Sequence, residues 1–339
     1  MATLGDVASR AGVSISVASR ALSATSDARV SASTRQRVRD AAAALDYQPN
    51  FAGRALQSAR SNLLALIVPD LTNAIFAELM EGVEDAALSD DYTVVLGRAE
   101  DMQPGGSMLR RLIGERRVDG MLVQFRDDRT AAEIAHLAES PRPVVFINSR
   151  GPAGVSSVVL PDAAGASLAT KHLIELGHRR IGMIGGRSTN DTAARRYEGF
   201  IRAHRAAGVE PQEDLVVHVG YWVDEGRAGL RALMSRAQPP TAIFVANVNA
   251  ALGVIGEARS LGIRIPEDVS VVAMHDAWTA EVSGPPLTTI RMPLREMGAE
   301  AVTELLRRVR EPSAAPMDVL VKAAGPTLVV RNSTQAITT

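Results

Sequence analysis

Apolar residues along this 339-residue chain follow two different rhythms, and the change between them divides it. From Thr3 to Leu45 they recur three and four residues apart. Leu4, Val7, Ala8 and Ala11 form one face, Val17, Ala18, Ala21 and Leu22 a second, and Val38, Ala41, Ala42 and Leu45 a third. This spacing predicts three short amphipathic helices. Thr3 caps the first, Ser14 the second, and Ser31 or Ser33 the third, since their side-chain oxygens can accept N–H groups that a first helical turn leaves unbonded. Gly12 stops the first helix. Ala-Gly-Val-Ser between the first two is a helix-turn-helix signal.

From Asn62 onward short apolar runs alternate with amphipathic stretches. Strands are expected at 63–68, 92–97, 120–125, 144–148, 157–160, 181–185, 216–219, 243–247 and 269–274. Helices are expected at 76–88, 108–114, 131–138, 163–176, 197–206, 226–234 and 250–261. Apolar strands alternating with helices mean parallel sheets covered on both faces. The span is too long for one sheet, so two lobes are expected. Between the two regions lies Tyr47-Gln48-Pro49-Asn50-Phe51-Ala52-Gly53-Arg54-Ala55-Leu56. Pro49 ends whatever helix precedes it, and Asn50 can cap a new one. That helix is too short to stand alone in water and needs a partner to pack on.

Charge changes the picture through its distribution. The net charge is −1, but residues 1–60 carry eight arginines against four aspartates, so this segment is basic and the remainder acidic. A basic helical segment on a slightly acidic body is the electrostatic footprint of DNA binding. Recognition positions fall on the second helix of the pair, where Ile15, Ser16 and Arg20 face outward. Arginine can bond guanine in bidentate fashion, Ser16 can reach a base or phosphate, and an exposed Ile15 suits a thymine methyl. A plain three-helix bundle without ligand is the competing reading.

Composition excludes several classes. The chain has no cysteine, hence no disulfide framework, thiolate metal site or catalytic thiol. Residues 1–12 contain no apolar leader core, and apolar runs are strand-sized, so a cytoplasmic protein is expected. No Walker loop, strand-linked Gly-x-Gly-x-x-Gly, His-Glu-x-x-His or Gly-x-Ser-x-Gly occurs, so no enzyme, cofactor or metal is expected. Gly182-Met183-Ile184-Gly185-Gly186 lies in and at the end of a strand and is a weak phosphate signal.

The sequence resembles a known family. Thr3-Leu4-Gly5-Asp6-Val7-Ala8, Ala11-Gly12-Val13-Ser14, Ser19-Arg20-Ala21-Leu22, Val30-Ser31, Thr34-Arg35, Tyr47-Gln48-Pro49-Asn50 and Arg54-Ala55-Leu56 are similar to the headpiece of the lactose/galactose repressor (LacI/GalR) family. The likeness continues through Val68-Pro69-Asp70-Leu71-Thr72-Asn73, Arg117-Val118-Asp119-Gly120, 172–181, 196–200, 266–272, 286–290 and 328–334. It implies an all-α helix-turn-helix headpiece (1–48), a hinge helix (49–60) and an α/β effector domain of periplasmic-binding-protein type (61–339). The two lobes would cover about 61–161 with 292–323, and 162–291 with 324–339, joined by three crossovers. The helix at 294–309 would return to the first lobe. Leu56 stands where the family wedges a leucine into the minor groove, which bends the duplex.

The implied DNA-contacting set is Thr3, Ser14, Ile15, Ser16, Ser19, Arg20, Arg29, Ser31, Asn50, Arg54 and Leu56. The implied partners are a palindromic operator, a second copy of the chain and a small-molecule effector. Three features depart from the family pattern. Val17-Ala18 replace the usual Thr-Val, the loop from Leu22 to Val30 looks longer, and Gly53 weakens the hinge helix by up to about 1 kcal/mol.

In open α/β sheets, ligands sit beyond the carboxyl ends of the strands. That makes Asp70, Asn73, Gln124, Asn148, Arg150, Asn247 and His275 candidate effector contacts, with Phe76 beside Asn73. Arg196 stands where the family's cleft arginine binds a hydroxyl or carboxylate. Asp162 follows the first crossover, as a cleft group or a turn residue. Trp222 is either a stacking platform or a core aromatic. The family's Ala-Asn-Asp becomes Ala246-Asn247-Val248, and its paired acids become His275-Asp276. These changes favour a sugar acid or phosphate held by Arg196, His275 and Arg150, over a neutral sugar held by other residues. A solute-binding receptor of the same two-lobe fold is the alternative function.

Overall fold

The computed structural model describes residues 2–22, 30–47, 60–71, 73–101, 106, 110–115, 117–125, 134–135, 137 and 139–337. The chain forms two compact units, Met1–Ser61 and Asn62–Thr339.

The first unit holds α1 (Leu4–Ala11), α2 (Ile15–Leu22) and α3 (Ala32–Ala44). The caps fall where the residue types place them. Thr3 Oγ1 accepts the Asp6 N–H while the Asp6 carboxylate accepts the Thr3 N–H at 2.8 Å, closing a reciprocal box. Ser14 Oγ accepts from Val17 N–H at 3.3 Å, and Ser31, not Ser33, caps α3 through Thr34 N–H at 3.2 Å. Gly12 takes φ 66°, the left-handed turn that ends α1. Val7, Ala8, Ala18, Ala21 and Val38 fill a small core, as the spacing predicts. The segment around Pro49, Gly53 and Leu56 lies outside the described residues, as does the 23–29 loop.

The second unit contains two six-stranded sheets. In chain order its elements are β1 (Leu63–Val68), α4 (Phe76–Ser89), β2 (Thr93–Arg98), β3 (Gly120–Val123), β4 (Val144–Ile147), β5 (Ser156–Val159), α5 (Asp162–Glu175) and β6 (Ile181–Gly185). They continue through α6 (Asp191–Ala206), β7 (Val216–His218), α7 (Val223–Met234), β8 (Ala242–Val245), α8 (Val248–Ser260), β9 (Ser270–Met274) and α9 (Trp278–Glu281). The last are β10 (Thr288–Arg291), α10 (Leu294–Arg310), β11 (Asp318–Leu320) and β12 (Thr327–Val329).

One sheet runs β11-β5-β4-β3-β1-β2 and the other β12-β10-β9-β8-β6-β7. The chain therefore passes between lobes three times, after β5, after β10 and between β11 and β12. Ladders are parallel except β10–β12, which pair antiparallel, a departure from wholly parallel sheets. β1 shows why a continuous apolar run was needed. Its Leu64, Leu66 and Val68 face one buried layer, while Ala65 and Ile67 face another. A strand buried on both faces cannot alternate with polar residues. The stretch at 108–114 becomes one π-helical turn, Arg110–Gly114, and of 131–138 only 134, 135 and 137 are described. Among the described residues no helix is long and apolar enough to cross a membrane.

Candidate functional site

The carboxyl ends of the strands of both sheets converge on one cleft. Its open space, counted together with the solvent at its mouth, is about 750 Å³. Asp70, Asn73, Gln124, Asn148, Trp222, Asn247 and His275, which follow strands, all line it, together with Phe76 and with Arg196, which the family resemblance had implied. Two backbone outliers stand here, Asn148 at φ 61° after β4 and His275 at φ 71° after β9. A non-glycine residue with positive φ is costly, and such residues gather at functional sites. Asn247 also caps α8, its Oδ1 accepting from Asn249 N–H at 2.8 Å. Trp222 precedes α7 as its cap residue, with its N–H held by Glu225 at 2.9 Å. It stands half-buried in the cleft wall and is not a core aromatic.

Arg196 is the centre of the wall and is almost fully buried. Nε donates to Asp162 at 2.7 Å, Nη1 to the Ala246 carbonyl at 2.5 Å, and Nη2 lies 2.9 Å from His275 Nε2. Its guanidinium carbon sits 5.2 Å from the centre of the Tyr221 ring, within cation–π range. Burial pushes the Asp162 carboxyl up, but Arg196 and Arg195 outweigh burial and hold it below the usual range. His275 is pushed down to about 3, first by burial and then by the Arg196 charge.

Three sequence-based expectations are corrected. Asp162 does not line the cleft. It sits behind Arg196 and also accepts from Arg195 at 2.8 Å, so its charge is used to keep two guanidinium groups in place. Arg150 is likewise outside the lining. Its backbone N–H and its Nη1 reach Asp191 at 3.0 and 3.3 Å, in a half-exposed pair. His275 is uncharged at neutral pH and adds no cation to the site. A set of Arg196, His275 and Arg150 for an anion is therefore not assembled.

The loop after β4 meets the start of α6 through further polar contacts. Thr192 Oγ1 donates to the Asn148 carbonyl at 2.7 Å and lies 3.1 Å from Ser149 Oγ, while Arg195 Nη2 donates to the same carbonyl at 2.9 Å. Arg150 lies at the exposed end of this seam, where an ion pair is worth about 0–1 kcal/mol. Arg150→Ala is expected to lower stability by less than about 1 kcal/mol in urea unfolding. A larger loss would restore a structural importance that its exposure denies it.

Sequence reasoning missed Tyr221, Thr192, Ser149, Arg187, Glu225 and Phe125 on the cleft wall. A signal for Thr192 was present. Asn190 caps α6 through Thr192 N–H at 2.8 Å, so the helix begins six residues before the 197 expected from apolar spacing.

The first unit presents a second candidate surface. Ile15 is 58% exposed, Ser14 and Ser16 are exposed beside it, and Ser19 and Arg20 are partly exposed on the same helix. Arg20 Nε donates to the Ser16 carbonyl at 3.1 Å, which lays the side chain along the helix. Thr3 and Ser31 are exposed caps. Arg29, Asn50, Arg54 and Leu56 lie outside the described residues.

Comparison with known proteins agrees over the whole length. Residues 3–50 match the bacterial regulatory proteins of the lacI family, and residues 170–334 match the periplasmic binding protein-like domain. The HTH-type transcriptional regulator DegA of Bacillus subtilis (strain 168) is 32% identical over 342 residues, 99% of each chain. A solved complex of the transcriptional regulator CelR with cellobiose is 31% identical, covers 98% of this chain and 100% of its own, and superposes with a TM-score of 0.70. The lac repressor dimer bound to operator and the anti-inducer ONPF is 26% identical over 99% of both chains, with a TM-score of 0.77.

Proposed function

The chain belongs to the lacI family of bacterial regulatory proteins, DNA-binding regulators of transcription and not enzymes, and we propose that it is a repressor acting as a homodimer on a palindromic operator under control of a small-molecule effector. We expect it to act in the cytoplasm. In this reading residues 1–48 bind DNA, 49–60 form the hinge and 61–339 bind effector and partner. The observation that carries it is the cap-stabilised α2 presenting Ile15 and Ser16 outward on a basic segment. A two-fold pair would set two such helices one duplex turn apart. Ile15, Ser16 and Arg20 would read bases. Thr3, Ser14, Ser19, Arg29 and Ser31 would contact phosphates, with Asn50, Arg54 and Leu56 acting at the operator centre.

A dimer is supported by the exposed apolar residues of the second unit. Trp278 is 68% and Val282 71% exposed, and Trp278 shares a groove with Val223 and Leu252. An exposed apolar patch of this kind marks an association surface. For the effector, the cleft's composition supports a sugar. Amide, hydroxyl and aromatic side chains line it, and the charges of Asp70, Glu225, Arg187 and Arg196 cancel. The effector would act through its differential affinity for two arrangements of the lobes.

Operator fragments selected from random duplexes should be palindromic and shift as dimer complexes. Arg20→Ala should weaken that complex at least tenfold, the effect of losing one bidentate base contact. Unchanged affinity in both Arg20→Ala and Ile15→Ala would remove α2 as the reading helix.

A further inference from the structure

Among the described residues, Gln124 Oε1, Asn148 Oδ1 and His275 Nδ1 on the cleft wall are buried without a hydrogen-bond partner. They stand at the ends of β3 and β4 in one sheet and of β9 in the other. Leaving a buried polar atom unpaired is costly, and such atoms in a native fold call for an explanation. All three residues line the same cleft, where a bound ligand would pair them. Asn148 and His275 are also held at positive φ, so the backbone is strained at two of the three points.

The proton on His275 can be assigned from geometry. Arg196 Nη2 lies 2.9 Å from His275 Nε2. A guanidinium group only donates, so Nε2 must accept, and the ring's single proton resides on Nδ1. The ring therefore presents an N–H donor, not an acceptor and not a cation. The charged groups facing it are Arg196 on α6 and Asp162 on α5, themselves paired at 2.7 Å. Arg187, the other cation of the wall, lies 3.8 Å from Glu225.

We propose that His275 determines specificity in this cleft as a neutral donor, its Nδ1–H bonding an acceptor oxygen of an uncharged polyhydroxylated ligand whose hydroxyl protons go to Gln124 and Asn148. This deepens the reading of the cleft as an effector site and rests on it. The site then selects against carboxylated or phosphorylated forms of the same ligand, which would bring a charge to a wall whose cations are already matched. It also explains why a histidine serves at a strained position where an acid would reverse the polarity of the hydrogen bond.

The first test needs no ligand. Nitrogen-15 NMR of the histidine side chains in the full-length protein, with His275 assigned by its loss in His275→Asn, should show the Nδ1–H form with no titration between pH 5 and 8. An Nε2–H form, or a titration in that range, overturns the proposal. The second test is calorimetry with neutral hexoses, pentoses and their disaccharides, set against gluconate, glucuronate and glucose 6-phosphate. A neutral sugar should bind at least tenfold more tightly than its charged derivative. His275→Leu should weaken it at least tenfold, and His275→Asn, which keeps both an acceptor for Arg196 and an N–H donor, should stay within about threefold of the natural protein. Tighter binding of the charged derivative overturns the proposal. Binding lost in Asn247→Ala yet unchanged in His275→Leu overturns the role of His275 and leaves the cleft reading standing. Binding unchanged in both variants overturns the cleft reading itself, and the proposal with it.

Discussion

Asp162→Ala is expected to destabilise the second unit by about 3–5 kcal/mol, the cost of leaving a buried charge without its counter-ion. Asp162 is fully buried and touches two guanidinium groups, Arg196 at 2.7 Å and Arg195 at 2.8 Å. Removing it leaves the buried Arg196 guanidinium with only neutral acceptors, the Ala246 carbonyl and His275 Nε2. Arg195 fares better, since it keeps Asp191 and the Asn148 carbonyl. Asp162→Asn should cost less, because an amide oxygen still accepts one of the two donors. Urea unfolding followed by tryptophan fluorescence reads this directly, since Trp222 and Trp278 both lie in the second unit. A loss under about 1 kcal/mol for the alanine variant would mean that the arginines are solvated some other way.

The pH dependence of that difference has a definite sign. The folded carboxyl titrates below the ordinary value of 3.8. Its stabilisation is therefore fully present above 3.8 and is lost as pH falls through the lower folded value. The natural protein and Asp162→Ala should differ most near neutrality and converge in acid. Effector binding should fall with the variant as well. Arg196 would no longer be fixed to donate to His275 Nε2, and the ring would then be free to carry its proton on the other nitrogen.

How far the residues themselves announced this arrangement depends on what each signal is made of. The run Leu63–Val68 needed only its own composition, because a strand buried on both faces is apolar at every position. The three headpiece helices were equally legible, since caps and apolar spacing act within a few residues of each other. The start of α6 was missed because its first turn, Asp191 and Thr192, is polar and has no apolar rhythm. β11 and β12 have three residues each, too few for any periodicity. Most cleft positions were found from strand ends, and Arg196 from the family resemblance, but side-chain roles were not. Arg150 follows β4 as expected, yet Asp191, 41 residues further on, decides where it points. The charge of His275 was misjudged for the same reason, since its neutral state is set by burial and by Arg196 on a distant helix.

A single helix offers the sharpest test of how packing governs the cleft. Gly253 and Gly256 both lie in α8, three residues apart, and neither has a positive φ. A Cβ at Gly253 would stand 1.9 Å from the Val223 carbonyl oxygen of α7, and a Cβ at Gly226 of α7 would stand 1.9 Å from the Ala250 carbonyl oxygen of α8. The two helices interlock through these glycines, and the obstacle in each case is backbone, which cannot rotate away. At Gly256 the nearest atom is the end of the Arg227 side chain at 3.8 Å. Alanine in an open helical position stabilises by up to about 1 kcal/mol over glycine. Gly256→Ala should therefore be neutral or stabilising, and Gly253→Ala should destabilise by about 3 kcal/mol or more, at or above the usual range for overpacking. The consequence reaches function because α7 begins just after Trp222 and α8 just after Asn247, both on the cleft wall. Forcing the helices apart moves those two side chains relative to each other. Ligand affinity in Gly253→Ala should fall by more than tenfold while Gly256→Ala binds normally, measured at a temperature where both are folded. Equal stability in the two variants would show that α7 and α8 can separate at little cost, and that their close approach does not hold the wall in place.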